Sequence, residues 1–114
     1  MAIEVRSAIM RELDIIYNGS DALLHPIFET SGIAVNGTGR VATSRAIASI
    51  LNITGTKSIK EVKDIPVRIV IHKQLLIGIG SFTEDKWCYL PSAGTLMTMN
   101  EIKESERQVK VEYM

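Results

Sequence analysis

The sequence predicts an α+β domain: a small antiparallel sheet of about five or six strands, with one main helix packed on it and short terminal helical turns. Three observations lead there. Residues 65–80 hold two apolar, β-branched runs that meet across His72-Lys73-Gln74, the pattern of paired strands. Asn18-Gly19 and Asn36-Gly37 are the dipeptides that tight hairpin turns favour. Only residues 43–55 combine a hydroxyl cap, apolar positions at helical spacing (Ile47, Ile50, Leu51) and a closing glycine.

Residues 3–17 carry two signals. Ile9, Leu13 and Ile16 fit a helical stripe, whereas Ile3, Val5 and the Ile15-Ile16-Tyr17 run fit a strand. The strand reading is preferred because Asn18-Gly19 follows at once. Asp21 to Thr30 is then the returning strand, with Pro26 at a bulge or an edge. Ser31 to Val41, with three glycines, reads as a second hairpin or a loop, and Arg40 lies just beyond it. Thr43 or Ser44 caps the main helix, which ends near Gly55. Ser58-Ile59-Lys60-Glu61 has the form of a capping box before Pro66. After Pro91 and Gly94, Asn100 is expected to start a short helix, and the alternation of Val109, Val111 and Tyr113 suggests a terminal strand over 108–113. No repeat or linker divides the chain, so 1–114 is read as one ligand-binding domain. At 114 residues it can bury roughly 65% of its unfolded surface.

Thirteen Lys and Arg balance thirteen Asp and Glu, so no global field draws the chain to nucleic acid or anionic lipid. An anion site must be local. Cys88 is the single cysteine, which excludes an internal disulfide and points to a reducing, cytoplasmic setting. No apolar run approaches the ~20 residues of a membrane helix, and the N-terminus lacks the form of a secretory signal. The acceptor triplets at Asn18, Asn36 and Asn52 therefore read as turns and helix ends.

The residues of covalent or metal chemistry are scattered. His25 and His72 stand at no metal-ligand spacing with each other or with Cys88. Glu84 and Asp85 are adjacent, so on extended backbone they point apart and do not make an acid and base pair. No phosphate loop, dinucleotide fingerprint or nucleophile elbow is present, and Gly37-Thr38-Gly39 and Gly78-Ile79-Gly80 are too short to replace one. The expectation is a protein that is not an enzyme and carries no cofactor or metal.

The loop Ser81-Phe82-Thr83-Glu84-Asp85-Lys86-Trp87 is the candidate site. It places an aromatic face, hydroxyls, carboxylates and a cation at a strand end. These are groups that stack on a base, bond ribose and pair with phosphate. Phe82 is the first choice for stacking; Thr83, Glu84 and Asp85 are candidates for ribose hydroxyls; Trp87, beside Cys88 and Tyr89, reads more as core. Arg40 or Arg45 could reach a pyrophosphate through a planar fork. Arg107 and Lys110 could complete a neighbouring subunit's pocket.

Ser58 to Ile71, followed by Ile77-Gly78-Ile79-Gly80-Ser81-Phe82-Thr83-Glu84-Asp85-Lys86-Trp87, resembles a pattern of small phage proteins: helix, short turn, Val-Arg-Val strand, Ile-Gly-His strand and Asp-Lys-Trp ending. Among these, the chain resembles the Thoeris anti-defence sponges of phages over about residues 45–87. Ser81 stands where the pattern often has histidine, and Ile59 where the preceding turn has tryptophan. The resemblance implies binding, without cleavage, of a cyclic ADP-ribose isomer made by a host TIR enzyme, with Phe82 as the base-stacking residue. It also implies assembly into dimers or larger homo-oligomers in the infected bacterium's cytoplasm, and in some members a separate site for cyclic oligonucleotides. The alternative expectation is a phage-encoded inhibitor that binds a host defence protein directly, of anti-restriction or anti-CRISPR type. A nucleic-acid accessory role fits poorly with zero net charge.

Overall fold

A computed structural model describes residues 3–30, 33–36 and 40–112. The strands are β1 (Glu4–Tyr17), β2 (Ala22–Thr30), β3 (Ile33–Asn36), β4 (Arg40–Val41), β5 (Ile65–His72), β6 (Leu75–Gly80), β7 (Trp87–Tyr89) and β8 (Thr95–Met97). The helices are α1 (Ser44–Thr54) and α2 (Met99–Glu112), with single turns at Ile59–Glu61 and Leu90–Ser92. Seven strands lie in the order β3-β2-β1-β5-β6-β7-β8, every pair antiparallel, and β4 adds a second short partner to β2. The α+β class is as the sequence predicts, with a sheet slightly larger than expected. Strands β7 and β8, three residues each, are too short to show a periodicity of their own.

The β1–β2 hairpin turns through Asn18, whose side-chain oxygen accepts the backbone N–H of Ser20 and Asp21, with Gly19 at φ 100°. Met10 faces Phe28 but Glu12 faces Ile27, so Arg11 is an extra residue in β1. This bulge shifts the inward parity of β1 from Ala8 and Met10 to Leu13, all buried. Pro26 of β2 has no N–H to donate. It falls between the stretch paired with β3, which ends at Ile27–Asn36, and the stretch paired with β4, which starts at Leu24–Arg40.

The sheet curls around α1. Ala42 donates to Ala22 at the tip of the β1–β2 arm, and the Thr43 hydroxyl donates to Ala93 beyond β7, so one short segment ties the two ends of the sheet together. Thr43 also caps α1, its Oγ1 accepting the N–H of Ala46 at 3.0 Å, and Gly55 closes the helix at φ 72°. On this inner side Ala46, Ile50 and Ile53 of α1 pack against Met10, Phe28, Val67, Ile69, Ile79 and Cys88. Part of the outer face of β5–β8 is covered by α2, where Ile102 is fully buried with Val70, Ile77, Trp87 and Tyr89.

The expected terminal strand over 108–113 is not formed, since α2 runs to Glu112, and Tyr113 lies outside the described residues. Helix caps overrule the Val109–Val111 alternation. Thr98 and Glu101 form a reciprocal capping box, Oγ1 accepting the N–H of Glu101 and Oε1 that of Thr98. The cap is thus Thr98, two residues before the expected Asn100. Glu106 fixes the helix further along: it accepts from the Tyr89 hydroxyl and meets His72 Nδ1 at 2.6 Å. No described helix is long and apolar enough to cross a membrane.

Gly94 shows how closely α1 sits on the sheet. It has φ 79°, and a Cβ there would lie 2.3 Å from Ala46 Cα. Gly94→Ala should destabilise the domain by on the order of 3 kcal/mol, through strain and helix displacement together, as read by urea denaturation.

Candidate ligand-binding face

From Ile65 to Ile71 strand β5 runs apolar except for Arg68, which the pleat turns to the outer face between Ser7 of β1 and Gly80 of β6. Its guanidinium carbon lies 4.4 Å from the centroid of the Trp87 ring. Its Nε donates to Ser81 O at 2.7 Å, and one terminal nitrogen donates to Glu84 O at 2.6 Å. One side chain therefore stacks on the loop's closing aromatic and grips its backbone twice. Gly80 makes room for this, because a Cβ there would overlap the Trp87 ring at 2.1–2.6 Å.

The loop is held from inside as well. Ser81 N–H donates to Lys86 O at 2.9 Å, and the buried Ser81 hydroxyl accepts the N–H groups of Thr83 and Glu84. Asp85 Oδ1 accepts from the Trp87 indole at 2.7 Å and from Met99 N–H at the start of α2 at 2.9 Å. These bonds, the Met99 amide foremost, hold the Asp85 carboxyl below its ordinary value. Loop 81–86 is in this way a fixed bridge from the sheet to α2.

Phe82 projects from the bridge with 49% of its surface exposed. It borders a hollow of about 370 Å³ lined also by Ser7, Ala8, Ile9, Glu29, Thr30 and Pro66. On the loop's other flank a second hollow of about 540 Å³ is lined by Val5, Arg68, Thr83, Glu84, Asp85, Trp87 and Met99. The two hollows share the part of the outer sheet face that α2 leaves open.

Of the residues singled out from sequence, Phe82 lines the first hollow and Thr83, Glu84 and Asp85 the second. The Asp85 carboxylate is already engaged by Trp87 and Met99, and Glu84 stands 3.5 Å from Lys86. Arg40 and Arg107 line neither hollow. Arg40 is half-buried on β4, and Arg107 is exposed on α2 beside Glu104 at 3.2 Å. Arg45 donates to the Thr95 hydroxyl, and the side chain of Lys110 is outside the described residues. Sequence reasoning missed Arg68, although a lone arginine inside an apolar strand is a signal. Trp87 and Cys88 are buried as read, and burial pushes the Cys88 thiol up to about 12, which suppresses its thiolate. Among the described residues no group of three His, Cys, Asp or Glu is placed to hold a metal ion. No family model, curated protein or solved structure compared with the chain matches it.

Because the folded Asp85 binds its proton more weakly than the unfolded one, the stability it contributes is complete above the ordinary carboxylate value and falls away as pH drops through its folded value. The stability gap between wild type and Asp85→Asn should be present at pH 7 and shrink below about pH 4, as read by urea melts across that range.

Proposed function

We propose that this protein is a non-enzymatic sponge that holds a nucleotide signal of the cyclic ADP-ribose class on the open outer face, as the resemblance to Thoeris anti-defence sponges implies. One observation carries the reading: Phe82, the chain's one exposed Phe or Trp, stands on a loop with little freedom left, beside a hollow whose lining includes Ala8, Ile9 and Pro66. A base stacked on that ring and lying over Ile9 and Pro66 gains roughly 1–3 kcal/mol from stacking alone. Arg68 gives the neighbouring hollow a guanidinium for a phosphate oxygen, and Thr83 and Glu84 offer partners to ribose hydroxyls.

Sequestration asks for affinity without chemistry. A nanomolar constant corresponds to about −12 kcal/mol, which stacking and two or three charge-assisted bonds approach when the pocket is closed. The hollows are open on one side, so closure by a second subunit in a homodimer or larger homo-oligomer belongs to this proposal. Arg40 and Arg107 enter it only as residues a neighbouring subunit brings. A separate site for cyclic oligonucleotides, and action in the cytoplasm of an infected bacterium, follow from the same resemblance.

A second reading, direct inhibition of a host defence protein, is favoured by an apolar row on the arm. Ile16, Leu23 and Val41 are paired across β1, β2 and β4, with Ile16 44% and Val41 48% exposed. Purification from host lysate separates the readings, since a sponge retains a nucleotide and an inhibitor retains a protein.

Titration calorimetry with a cyclic ADP-ribose isomer should give heat, and heating the complex should return the ligand unchanged by mass spectrometry. Phe82→Ala should weaken binding at least tenfold while changing stability by less than about 1 kcal/mol, because the ring is half in solvent. Absence of heat across the isomers, or return of a cleaved ligand, would contradict the proposal.

A further inference from the structure

Strand β1 pairs with β5 over residues 4–10 and with β2 over residues 9–17, so beyond the bulge residues 12–17 have a partner on one side only. β5 starts at Ile65 opposite Met10, and among the described residues no strand lies beside 12–17 on that flank. Which backbone groups face the gap follows from the ladder. Asn18 N–H donates to Asp21 O, Ala42 N–H donates to Ala22 O, and Pro26 lacks an N–H. Antiparallel alternation then turns residues 12, 14 and 16 towards β2, and the amides and carbonyls of Leu13, Ile15 and Tyr17 towards the open side. Six residues give an unpaired edge of roughly 20 Å.

The edge opens onto a cleft of about 530 Å³. Arg11, Glu12, Leu13 and Asp14 form its strand wall; Ile59, Lys60, Val62 and Lys63 form the other. Asp64, at φ 57°, turns the chain between that second wall and β5, and Arg11, set by the bulge, pairs with Asp64 and Glu29. The usual protections of an edge, an inward charge or a proline, are missing from Ile15-Ile16-Tyr17, which stand 38%, 44% and 77% exposed.

We propose that this cleft receives an extended segment of a partner protein as an added strand beside β1, with basic side chains at alternate positions and apolar ones between. The backbone of the segment pairs with Leu13 and Ile15. Its residues opposite Glu12 and Asp14 fall in the close, non-hydrogen-bonded positions, where cross-strand side chains are nearest and lysine or arginine meets a carboxylate. Its apolar side chains turn inward, over Leu13 and Ile15. Its far edge presents carbonyl oxygens towards Lys60 and Lys63, whose ammonium groups are donors only. This is recognition by strand addition, with affinity from main-chain bonds and specificity from alternate side chains. A second copy of the chain fits less well, because pairing β1 with itself gathers two Glu12 and two Asp14 on one face. The cleft is separate from the Phe82 face, and the inference stands whether or not that face holds a nucleotide.

The probe is a fluorescein-labelled octapeptide of four Lys-Val repeats, amidated at its end, with a Glu-Val counterpart as control, in fluorescence anisotropy. The Lys-Val peptide should bind at least tenfold tighter. Ile15→Pro removes an edge donor that points away from β2, so it should weaken binding tenfold or more at an unchanged melting temperature. Asp14→Lys, an exposed change, should abolish or reverse the preference between the peptides. Equal affinities for the two peptides, or binding unaltered by either substitution, would overturn the proposal. So would a dimer in sedimentation that Ile15→Pro dissolves, since the occupant would then be a second copy.

Discussion

The outer face is organised by one side chain, Arg68. A charge in the middle of an apolar strand is costly unless it is matched, and here it is matched by the face of Trp87 and the carbonyls of Ser81 and Glu84. The match spans three consecutive strands: Arg68 sits on β5, Gly80 on β6 leaves the space, and Trp87 on β7 fills it. What the guanidinium gains by these contacts the loop loses in freedom. A segment rich in exposed polar residues is thereby kept in one conformation, as a binding surface requires if ordering entropy is not to consume its affinity.

The two faces divide the labour of the sheet. The inner face is closed by α1 so tightly that Gly94 cannot be any other residue without moving the helix. The outer face is closed only in part: among the described side chains of α2 Ile102 alone is fully buried, and the helix is fastened by polar contacts, Asp85 at its start and His72 and Tyr89 around Glu106. In that buried setting, with Glu106 as its partner, the Tyr89 hydroxyl holds its proton well above the ordinary range. Beside the helix Val5, Ile9, Pro66 and Phe82 keep part or most of their surface exposed. Incomplete cover is what creates the hollows on either side of the loop.

Much of this was legible in the residues. Strand runs, Asn-Gly turns and the capped helix place β1, β2, α1, β5 and β6, and the loop at 81–87 was visible as an aromatic among charges after a strand end. What was not legible depended on distance in space. The partners of Asp85 come from Trp87, two residues on, and from Met99, fourteen residues on, and no local pattern announces the second. Arg68 stands out as a lone charge in an apolar strand, but its partner Trp87 lies nineteen residues on and no local pattern announces it. The C-terminal alternation of valines favoured a strand, but a capping box and a remote carboxylate at the helix start outweighed it. Arg40 rests on charge alone and lines neither hollow, and Arg107 is expected only at a neighbouring subunit's pocket. The bulge at Arg11, which sets the parity of β1 and shapes the cleft beside it, has no signature in the sequence.

The central claim, that Arg68 and the loop hold Phe82 out in solvent as a ligand-receiving ring, can be read from the chain's two phenylalanines. In protein labelled with fluorophenylalanine, the fluorine spectrum should show two resonances. A soluble paramagnet should broaden that of Phe82 and spare that of buried Phe28. Adding a cyclic ADP-ribose isomer should then shift and shield the Phe82 signal alone. Two resonances equally protected from the paramagnet, or a Phe82 signal indifferent to ligand, would contradict the account.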